Sequence, residues 1–256
     1  MKISSLLDNE VIENFSSISL EEMGKVKLMN RVDTKYVTQI NRIEDLLKLA
    51  SSKYMIQEIG GGRNMPYYTC YYDTRDVDMF YQHQRGKKTR QKIRRRKYEG
   101  SETLPFLEIK SKNNKGRTRK KRIPMDNGNQ LDKYSEFIEQ HSNYRVRDLV
   151  PKIENHFHRI TLVNHDMTER ITIDTGLEFH NFETDSIITL PHVGIIEWKR
   201  DGNNVDSPLK ELLLKLRIHQ GGFSKYCIGM AATDPSLRQN RIKIKLRYIN
   251  KINPFM

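Results

Sequence analysis

Charged side chains recur at every second position in several stretches that otherwise have the composition of β-strands. Lys92, Arg94 and Arg96 alternate within one basic run, and Glu197 and Lys199 alternate with apolar neighbours in another. Successive side chains of a strand point to opposite faces, so each such set shares one face. The same alternation groups Arg31, Asp33 and Lys35; Glu108, Lys110 and Lys112; and Arg170, Thr172 and Asp174. A sheet that buries its apolar face must hold these charges in bulk water or in an enclosed polar cavity.

The element pattern favours the enclosed cavity. About eight strands, few helices and no βαβ rhythm predict an α+β fold with a mainly antiparallel sheet. Because about eight strands close a small barrel, we expect an eight-stranded closed β-barrel with flanking helices. Charges inside a barrel are costly unless they are compensated, so they require a ligand. Basic side chains with a few carboxylates suit a chain of phosphates with one or two divalent cations.

Local patterns place the elements along the chain. The predicted strands are 31–39, 65–74, 91–100, 104–112, 116–125, 151–164, 169–182 and 192–202, and the predicted helices are 42–50, 75–84, 131–142 and 207–219. Asn41, Ser207 and Ser224 are predicted N-caps. We expect one domain over 1–256, comprising a helical lead-in (1–30), the barrel (31–230) and a basic C-terminal tail (231–256). Charged and apolar residues alternate in the tail, as in an edge strand. The alternative is a basic extension that contacts polymer, a partner or lipid.

The charge balance indicates an anionic partner. Forty-five Lys and Arg residues against thirty-two Asp and Glu residues give a formal charge of +13, which nucleic acid, an acidic membrane surface or polyphosphate would each satisfy. Cys70 and Cys227 lack metal-like spacing and favour a reduced, cytoplasmic protein, a disulfide between them being the alternative. No apolar run reaches the length of a signal sequence or a bilayer span. We therefore expect any membrane role to come through a membrane-protein partner.

Short motifs in a fixed order resemble a known family. They are Thr34-Lys35-Tyr36, Arg94-x-Arg96 with Tyr98, Leu107-Glu108-Ile109-Lys110, Arg170 to Thr175, Glu197-Trp198-Lys199 and Phe223-Ser224-Lys225-Tyr226. Together they resemble the catalytic domain of the vacuolar transporter chaperone complex, the VTC domain. That domain belongs to the triphosphate tunnel metalloenzyme superfamily, which includes the CYTH proteins. The resemblance covers roughly residues 20–230.

The resemblance implies an ATP-dependent polyphosphate polymerase with Mn²⁺ or Mg²⁺ in a basic tunnel. It implies these phosphate ligands: Lys35, Arg94, Arg96, Lys110, Arg159, Arg170 and Lys225. Lys35 would lie at the reacting phosphate, Glu197 would bind the metal, and Glu108 would be a second metal ligand or a spacer between cations. Lys120, Lys121 and Arg122 are adjacent in the second basic strand, and we choose Lys121 as the inward-facing phosphate ligand.

Other functions and simpler roles remain open. Tripolyphosphate or nucleoside-triphosphate hydrolysis would use the same tunnel, although CYTH enzymes open with Glu-x-Glu-x-Lys where this chain has Arg31-x-Asp33-x-Lys35. A non-catalytic polyphosphate-binding module is a further alternative. We expect no nucleic-acid partner, because no recognition-helix signature or RNP-like aromatic strand is present. Lys35 and Glu197 would also be explained by ordinary ion pairs, with Asp33 and Lys199 respectively.

Overall fold

The computed structural model describes residues 7, 10–26, 31–99, 103–126, 128, 130–202 and 206–253. Its strands are β1 (Ser17–Ser19), β2 (Arg31–Gln39), β3 (Tyr54–Glu58), β4 (Met65–Thr74), β5 (Arg90–Tyr98), β6 (Phe106–Lys112), β7 (Thr118–Pro124), β8 (Leu149–Asn164), β9 (Glu169–Asn181), β10 (Ile187–Leu190) and β11 (Val193–Asp201). Its α-helices are α1 (Glu10–Glu13), α2 (Leu20–Met23), α3 (Ile40–Ala50), α4 (Asp78–Gln84), α5 (Ser135–His141), α6 (Pro208–Lys215), α7 (Lys225–Thr233) and α8 (Lys243–Ile252). All eight predicted strands are confirmed, and β1, β3 and β10 are additional.

Eight strands form one continuous antiparallel path in the order β2-β11-β9-β8-β4-β5-β6-β7. The α+β class and the mainly antiparallel sheet are therefore confirmed. The sheet is curled but open, because β2 and β7 are its ends and no pairing joins them within the described residues. The prediction of a closed barrel is therefore wrong, and the strands form a curled half-barrel. β7 carries exposed basic residues at four consecutive positions, 119–122, which is typical of an edge strand that stays unpaired.

Helices cover the face of the sheet opposite the alternating charges. α1, α3 and α6 pack on the isoleucine-rich sides of β8, β9 and β11, where Ile160, Ile173 and Ile196 are fully buried. α5 belongs to a second core with Ile93 of β5 and Ile109 of β6, whereas α4 packs against α7 through Phe80 and Tyr226. Burying one such side chain contributes roughly 1.5–3 kcal/mol. Apolar burial on this face thus fixes the direction of the charged face.

One bulge changes which residues of β9 lie on the charged side. Asp174 pairs with Arg159 before the register shift at His156/His158. Beyond the shift, Phe179 pairs with Asn155, so Phe179 lies on the same side as Asp174 although the two are an odd number of residues apart. Gly176 lies in this region with φ +59°, a backbone conformation that favours glycine. The bulge thereby adds Phe179 of β9 to the apolar half of the charged side, which also contains the buried Ile153 and Phe157 of β8.

Helix α7 packs into that apolar half. A Cβ added at Gly229 would lie 2.5 Å from Phe179 Cδ1 and 2.7 Å from Ile153 Cδ1, so only glycine permits this approach. Ser224 caps the helix, as predicted, and its side chain accepts a hydrogen bond from the Cys227 N–H at 3.3 Å. The packing of α7 thereby fixes the position of Lys225 at its first turn.

Two local predictions are wrong. α3 begins at Ile40 with Gln39 as its N-cap, not at Asn41, because β2 runs directly into the helix. The C-terminal segment predicted as an edge strand or tail forms helix α8. Ile242, Ile249 and Ile252 are buried at a helical spacing, whereas Ile244, which alternates with Ile242 in the sequence, is 76% exposed.

Further features bear on the environment of the protein. Cys70 and Cys227 are both buried and free, so the alternative of a disulfide between them is not seen. Among the described residues, no helix has the length and apolar character needed to cross a membrane.

Candidate functional site

A cavity of about 140 Å³ lies on the charged face of the sheet. Its lining comes from β2, β4, β5, β6, β8, β9, β11 and the start of α7. The lining residues are Lys35, Tyr71, Lys92, Arg94, Arg96, Lys110, Arg159, Asp174, Ile195, Glu197, Phe223, Ser224 and Lys225. Seven of these thirteen side chains are cationic and two are anionic, so the cavity has a large positive excess. Such a site selects an anion with several charges.

The structure brings together most of the residues that the sequence singled out. The predicted site residues that line the cavity are Lys35, Arg94, Arg96, Lys110, Arg159, Lys225 and Glu197. Glu108 and Arg170 lie outside the lining, although they share the charged face through their pairing with Arg94 and Lys199. Lys121 pairs with the buried Ile109 and lies on the opposite face.

Lys35 and Glu197 face each other across β2 and β11. The Lys35 Nζ lies 3.4 Å from Glu197 Oε1, and Lys199 pairs with the other oxygen of the same carboxylate. Burial alone would raise the pKa of Glu197, but the charges of Lys35 and Lys199 hold this pKa well below its usual range. Burial lowers the pKa of Lys199 to about 8 despite the nearby Glu197. Glu197 thus remains ionised between two lysines.

Asp174 holds a second group of cations. Arg159 donates two hydrogen bonds to its carboxylate, from Nε to Oδ1 at 2.6 Å and from Nη2 to Oδ2 at 2.8 Å. Lys225 also donates to Oδ2, and its Nζ lies 3.7 Å from the centre of the Phe157 ring. Burial opposes ionisation of Asp174, but Arg159 and Lys225 keep its pKa below the usual range. One carboxylate therefore orients two buried cations toward the cavity.

Arg94 and Glu108 form a third buried pair. Arg94 donates from Nε at 2.8 Å and from Nη2 at 2.5 Å to Oε2, while Lys120 Nζ lies 3.1 Å from Oε1. The charge of Arg94, together with burial, lowers the pKa of Lys110 well below its usual range. Burial and the charges of Arg94 and Arg159 likewise lower the pKa of Arg96. These shifts show that cations are crowded here beyond what the carboxylates neutralise.

Lys92 is a site residue that the sequence-based selection missed, although its strand alternation with Arg94 was the available signal. Its Nζ donates a hydrogen bond to Ser224 Oγ at 2.8 Å, which joins β5 to the N-cap of α7. Burial lowers its pKa. Asp174 was also left out of the predicted site, because its ion pairs cross from β9 to β8 and α7 and depend on strand register.

On β7, the structure places Lys120, and not Lys121, on the charged face. Directly paired residues of an antiparallel ladder point to the same side, and Lys120 pairs with Lys110 while Lys121 pairs with Ile109. The selection of Lys121 as the inward-facing residue is therefore wrong, and Lys120 takes that place. The reason is that β7 is exposed on both faces, so no apolar residue reveals its phase before Ile123.

The carboxylates can be tested against the coordination that a divalent cation requires. Within the described ranges no group of three or more His, Cys, Asp or Glu side chains could hold a metal ion. Mg²⁺ is commonly held by one or two carboxylates together with substrate phosphates. Glu197 fits that arrangement because it lines the cavity. Glu108 fits a spacer better, because it lies outside the cavity lining and Arg94 donates two hydrogen bonds to its carboxylate.

Solved structures resemble this chain at low sequence identity. An adenylyl cyclase candidate from Hippeastrum, described as having a dominant triphosphatase activity, has a TM-score of 0.50 and 15% identity, covering 80% of this chain and 97% of its own. Adenylate cyclase candidates from Vibrio parahaemolyticus and Bacillus halodurans each have a TM-score of 0.47, at 11% and 13% identity. They cover 79% and 77% of this chain, and 99% and 96% of their own.

At the level of sequence, no curated protein matches the chain. The profile of the VTC domain matches residues 30–234, which include the whole path from β2 to β11 and helix α7. All thirteen residues that line the cavity lie within this match. The chain therefore belongs to the VTC domain family.

Proposed function

We propose that this protein is an ATP-dependent polyphosphate polymerase, which transfers the γ-phosphoryl group of ATP onto a growing polyphosphate chain. The observation that carries the proposal is the excess of seven cations over two carboxylates around one cavity. Membership of the VTC domain family supports a substrate with linked phosphates. Arginine binds phosphoryl oxygens through paired N–H groups, and lysine adds point charges.

Phosphoryl transfer needs alignment and charge neutralisation more than a nucleophilic side chain. An oxygen of the terminal phosphate of the chain attacks the γ-phosphorus of ATP. The bond between that phosphorus and the oxygen bridging to the β-phosphate breaks, and its electrons leave with ADP. The chain gains one phosphate for each ADP released.

The residues of the cavity have distinct proposed roles in this transfer. Lys35 orients the acceptor phosphate, and Arg94, Arg96 and Arg159 bind phosphoryl oxygens. Lys92, Lys110, Lys120, Arg170 and Lys225 complete the proposed set of phosphate-binding side chains. Glu197, together with substrate phosphates, would hold Mn²⁺ or Mg²⁺, which neutralises charge on the transferred group when bound.

Hydrolysis is the second candidate, favoured by one observation. The Hippeastrum protein with the same fold is described as having a dominant triphosphatase activity. A hydrolase would use water in place of the polyphosphate acceptor. Against it, β2 opens with Arg31-x-Asp33-x-Lys35, not with the Glu-x-Glu-x-Lys of CYTH enzymes.

A product assay separates these functions. The protein is incubated with ATP and Mn²⁺, and the products are resolved on a polyacrylamide gel stained for polyphosphate. A ladder of polymer supports the polymerase, whereas orthophosphate without polymer identifies a hydrolase. Binding of polyphosphate without consumption of ATP would identify a non-catalytic receptor and overturn both enzymatic proposals.

The two lysines of β7 give a first prediction. Lys120→Ala should weaken tripolyphosphate binding about three- to tenfold, because a partly exposed cation on the site face is lost. Lys121→Ala is the matched control, with the same change of charge on the other face, and should change the Kd by less than about twofold. Calorimetric titration measures both. A larger effect of Lys121→Ala would contradict the register of β7.

Lys225 predicts a pH dependence of binding. Burial, which outweighs the attraction of Asp174, lowers the pKa of Lys225 to about 7. Since bound phosphate favours the charged ammonium, binding above this pKa takes up a proton, and affinity should fall by up to about tenfold per pH unit. Lys225→Arg stays charged, so the ratio of the wild-type Kd to the variant Kd for tripolyphosphate should rise between about pH 7 and pH 9. Ionisation of the ligand affects both proteins equally and cancels in this ratio. A ratio independent of pH would contradict the lowered pKa of Lys225.

A further inference from the structure

We infer that a second anion-binding site lies at the mouth of the cavity and binds the phosphates of a linear polyphosphate chain beyond the reacting ones. This mouth cluster consists of Arg90, Lys112 and Lys245, none of which lines the cavity itself. The inference rests on the proposed function, because it names where the polymer passes. It adds residues of helix α8, which lies beyond the family match at 30–234.

The sheet carries the basic face outward from the cavity to this mouth. Lys92 and Lys110, which line the cavity, are directly paired, and the next pair on the same face is Arg90 with Lys112. Two residues along a strand correspond to about 7 Å. The basic face therefore continues without interruption from the cavity to the ends of β5 and β6.

Helix α8 adds the third cation from the other side. The Lys245 Nζ lies 3.1 Å from the position that a Cβ of Gly222 would take, immediately before the cavity residues Phe223 and Ser224. The Tyr248 hydroxyl donates a hydrogen bond to the Val37 carbonyl at 3.1 Å, which anchors the helix to β2. α8 thus holds Lys245 beside the segment that leads into the cavity.

The cluster lacks internal compensation. Within the described part of the chain, none of the three cations has a carboxylate within 4.0 Å. Like charges placed directly opposite in a sheet are destabilising. Lys92, two residues from Arg90, donates a hydrogen bond to Ser224, and Lys245 lies beside Gly222, two residues before that serine. In keeping with this proximity, burial and the charges of Lys92, Arg90, Lys245 and Lys112 together lower the pKa of His83. An anion bound there would relieve their repulsion.

The chemistry favours inorganic polyphosphate over nucleic acid. Single-stranded nucleic acid is normally bound by a basic groove together with aromatic side chains that stack on the bases. The mouth cluster consists of cations, and Tyr248, the aromatic residue one turn from Lys245, is hydrogen-bonded to β2. This composition accords with a cavity that we propose to bind linked phosphates. A chain of three phosphates would occupy the cavity, and a longer chain would extend onto Arg90, Lys112 and Lys245.

The test compares long and short ligands. The double variant Lys112→Ala/Lys245→Ala should bind a long polyphosphate chain about tenfold more weakly, or worse, at fixed salt, while its Kd for tripolyphosphate changes by less than about twofold. The control is Lys243→Ala/Lys251→Ala, which removes the same charge from exposed positions of the same helix. It should leave both affinities near the wild-type values, and thermal melts establish that the variants are folded.

Each outcome decides the inference. Equal losses for long and short chains, no loss for the long chain, or an equal loss in the control variant would each overturn it. A single-stranded DNA of matched charge that loses as much affinity as the polyphosphate would identify a general polyanion surface and also overturn it. If no polymer is synthesised but the length-dependent loss is observed, the proposed polymerase fails while the mouth site stands.

Discussion

Lys35→Ala should lower the rate of polyphosphate synthesis by about 10²- to 10³-fold, the usual effect of removing one group that stabilises transition-state charge. Lys35 lines the cavity, and its Nζ lies 3.4 Å from Glu197. The fold should survive, because Lys199 still pairs with Glu197 after the substitution. We expect kcat to fall more than the affinity for tripolyphosphate, since the other cations of the cavity remain.

The measurement is the initial rate of polymer formation from ATP, with the Kd for tripolyphosphate determined in parallel. Lys48→Ala is the control, because Lys48 is exposed on α3 and has no place in the cavity. Its rate should equal that of the wild type. Equal losses of rate and affinity in Lys35→Ala would show that the lysine only binds substrate and would refute its role at the acceptor phosphate.

Asp174→Asn should destabilise the ligand-free protein by about 3 kcal/mol or more, because removing one partner of a buried ion pair leaves uncompensated charge. Here the loss affects two cations, Arg159 and Lys225, whose side chains are only 15% and 11% exposed. Chemical denaturation monitored by circular dichroism measures the change in the free energy of unfolding. Tripolyphosphate should stabilise the variant more than the wild type, since its phosphates pair with the same cations.

Asp126→Asn is the matched control for charge removal. Asp126 pairs with Lys133 at 2.9 Å, but their side chains are 43% and 66% exposed. Exposed pairs contribute about 0–1 kcal/mol, so this variant should unfold near the wild-type midpoint. A loss in Asp174→Asn as small as in this control would show that Asp174 does not hold the buried cations together.

The alternation of charged and apolar side chains was sufficient to predict much of this protein. Where one face of a strand is apolar, as with Ile196 and Trp198 beside Glu197, the buried face fixes the direction of the charges. Seven of the predicted site residues consequently line one cavity. The order of the short motifs also indicated the family, which the match at 30–234 confirms.

The remaining features depend on information that a local pattern does not contain. Lys120 and Lys121 could not be distinguished, because both faces of β7 are exposed and the phase is set by pairing with β6. The grouping of Arg159, Asp174 and Lys225 requires the register of β8 against β9 and the insertion of α7. Helix α8 was missed because Ile242, Ile244 and Leu246 alternate at a period of two, while the buried Ile249 and Ile252 that complete the helical face lie beyond that run.

A polymerase incorporates the γ-phosphoryl group of ATP into the polymer, whereas a hydrolase releases it. ATP carrying a radioactive γ-phosphate is incubated with the protein, and polymer, ADP and orthophosphate are separated and counted. A polymerase transfers the label into chains that grow with time and releases one ADP for each labelled phosphate incorporated. Label recovered as orthophosphate, with no labelled chain, would rule out phosphoryl transfer to polyphosphate and identify water as the acceptor.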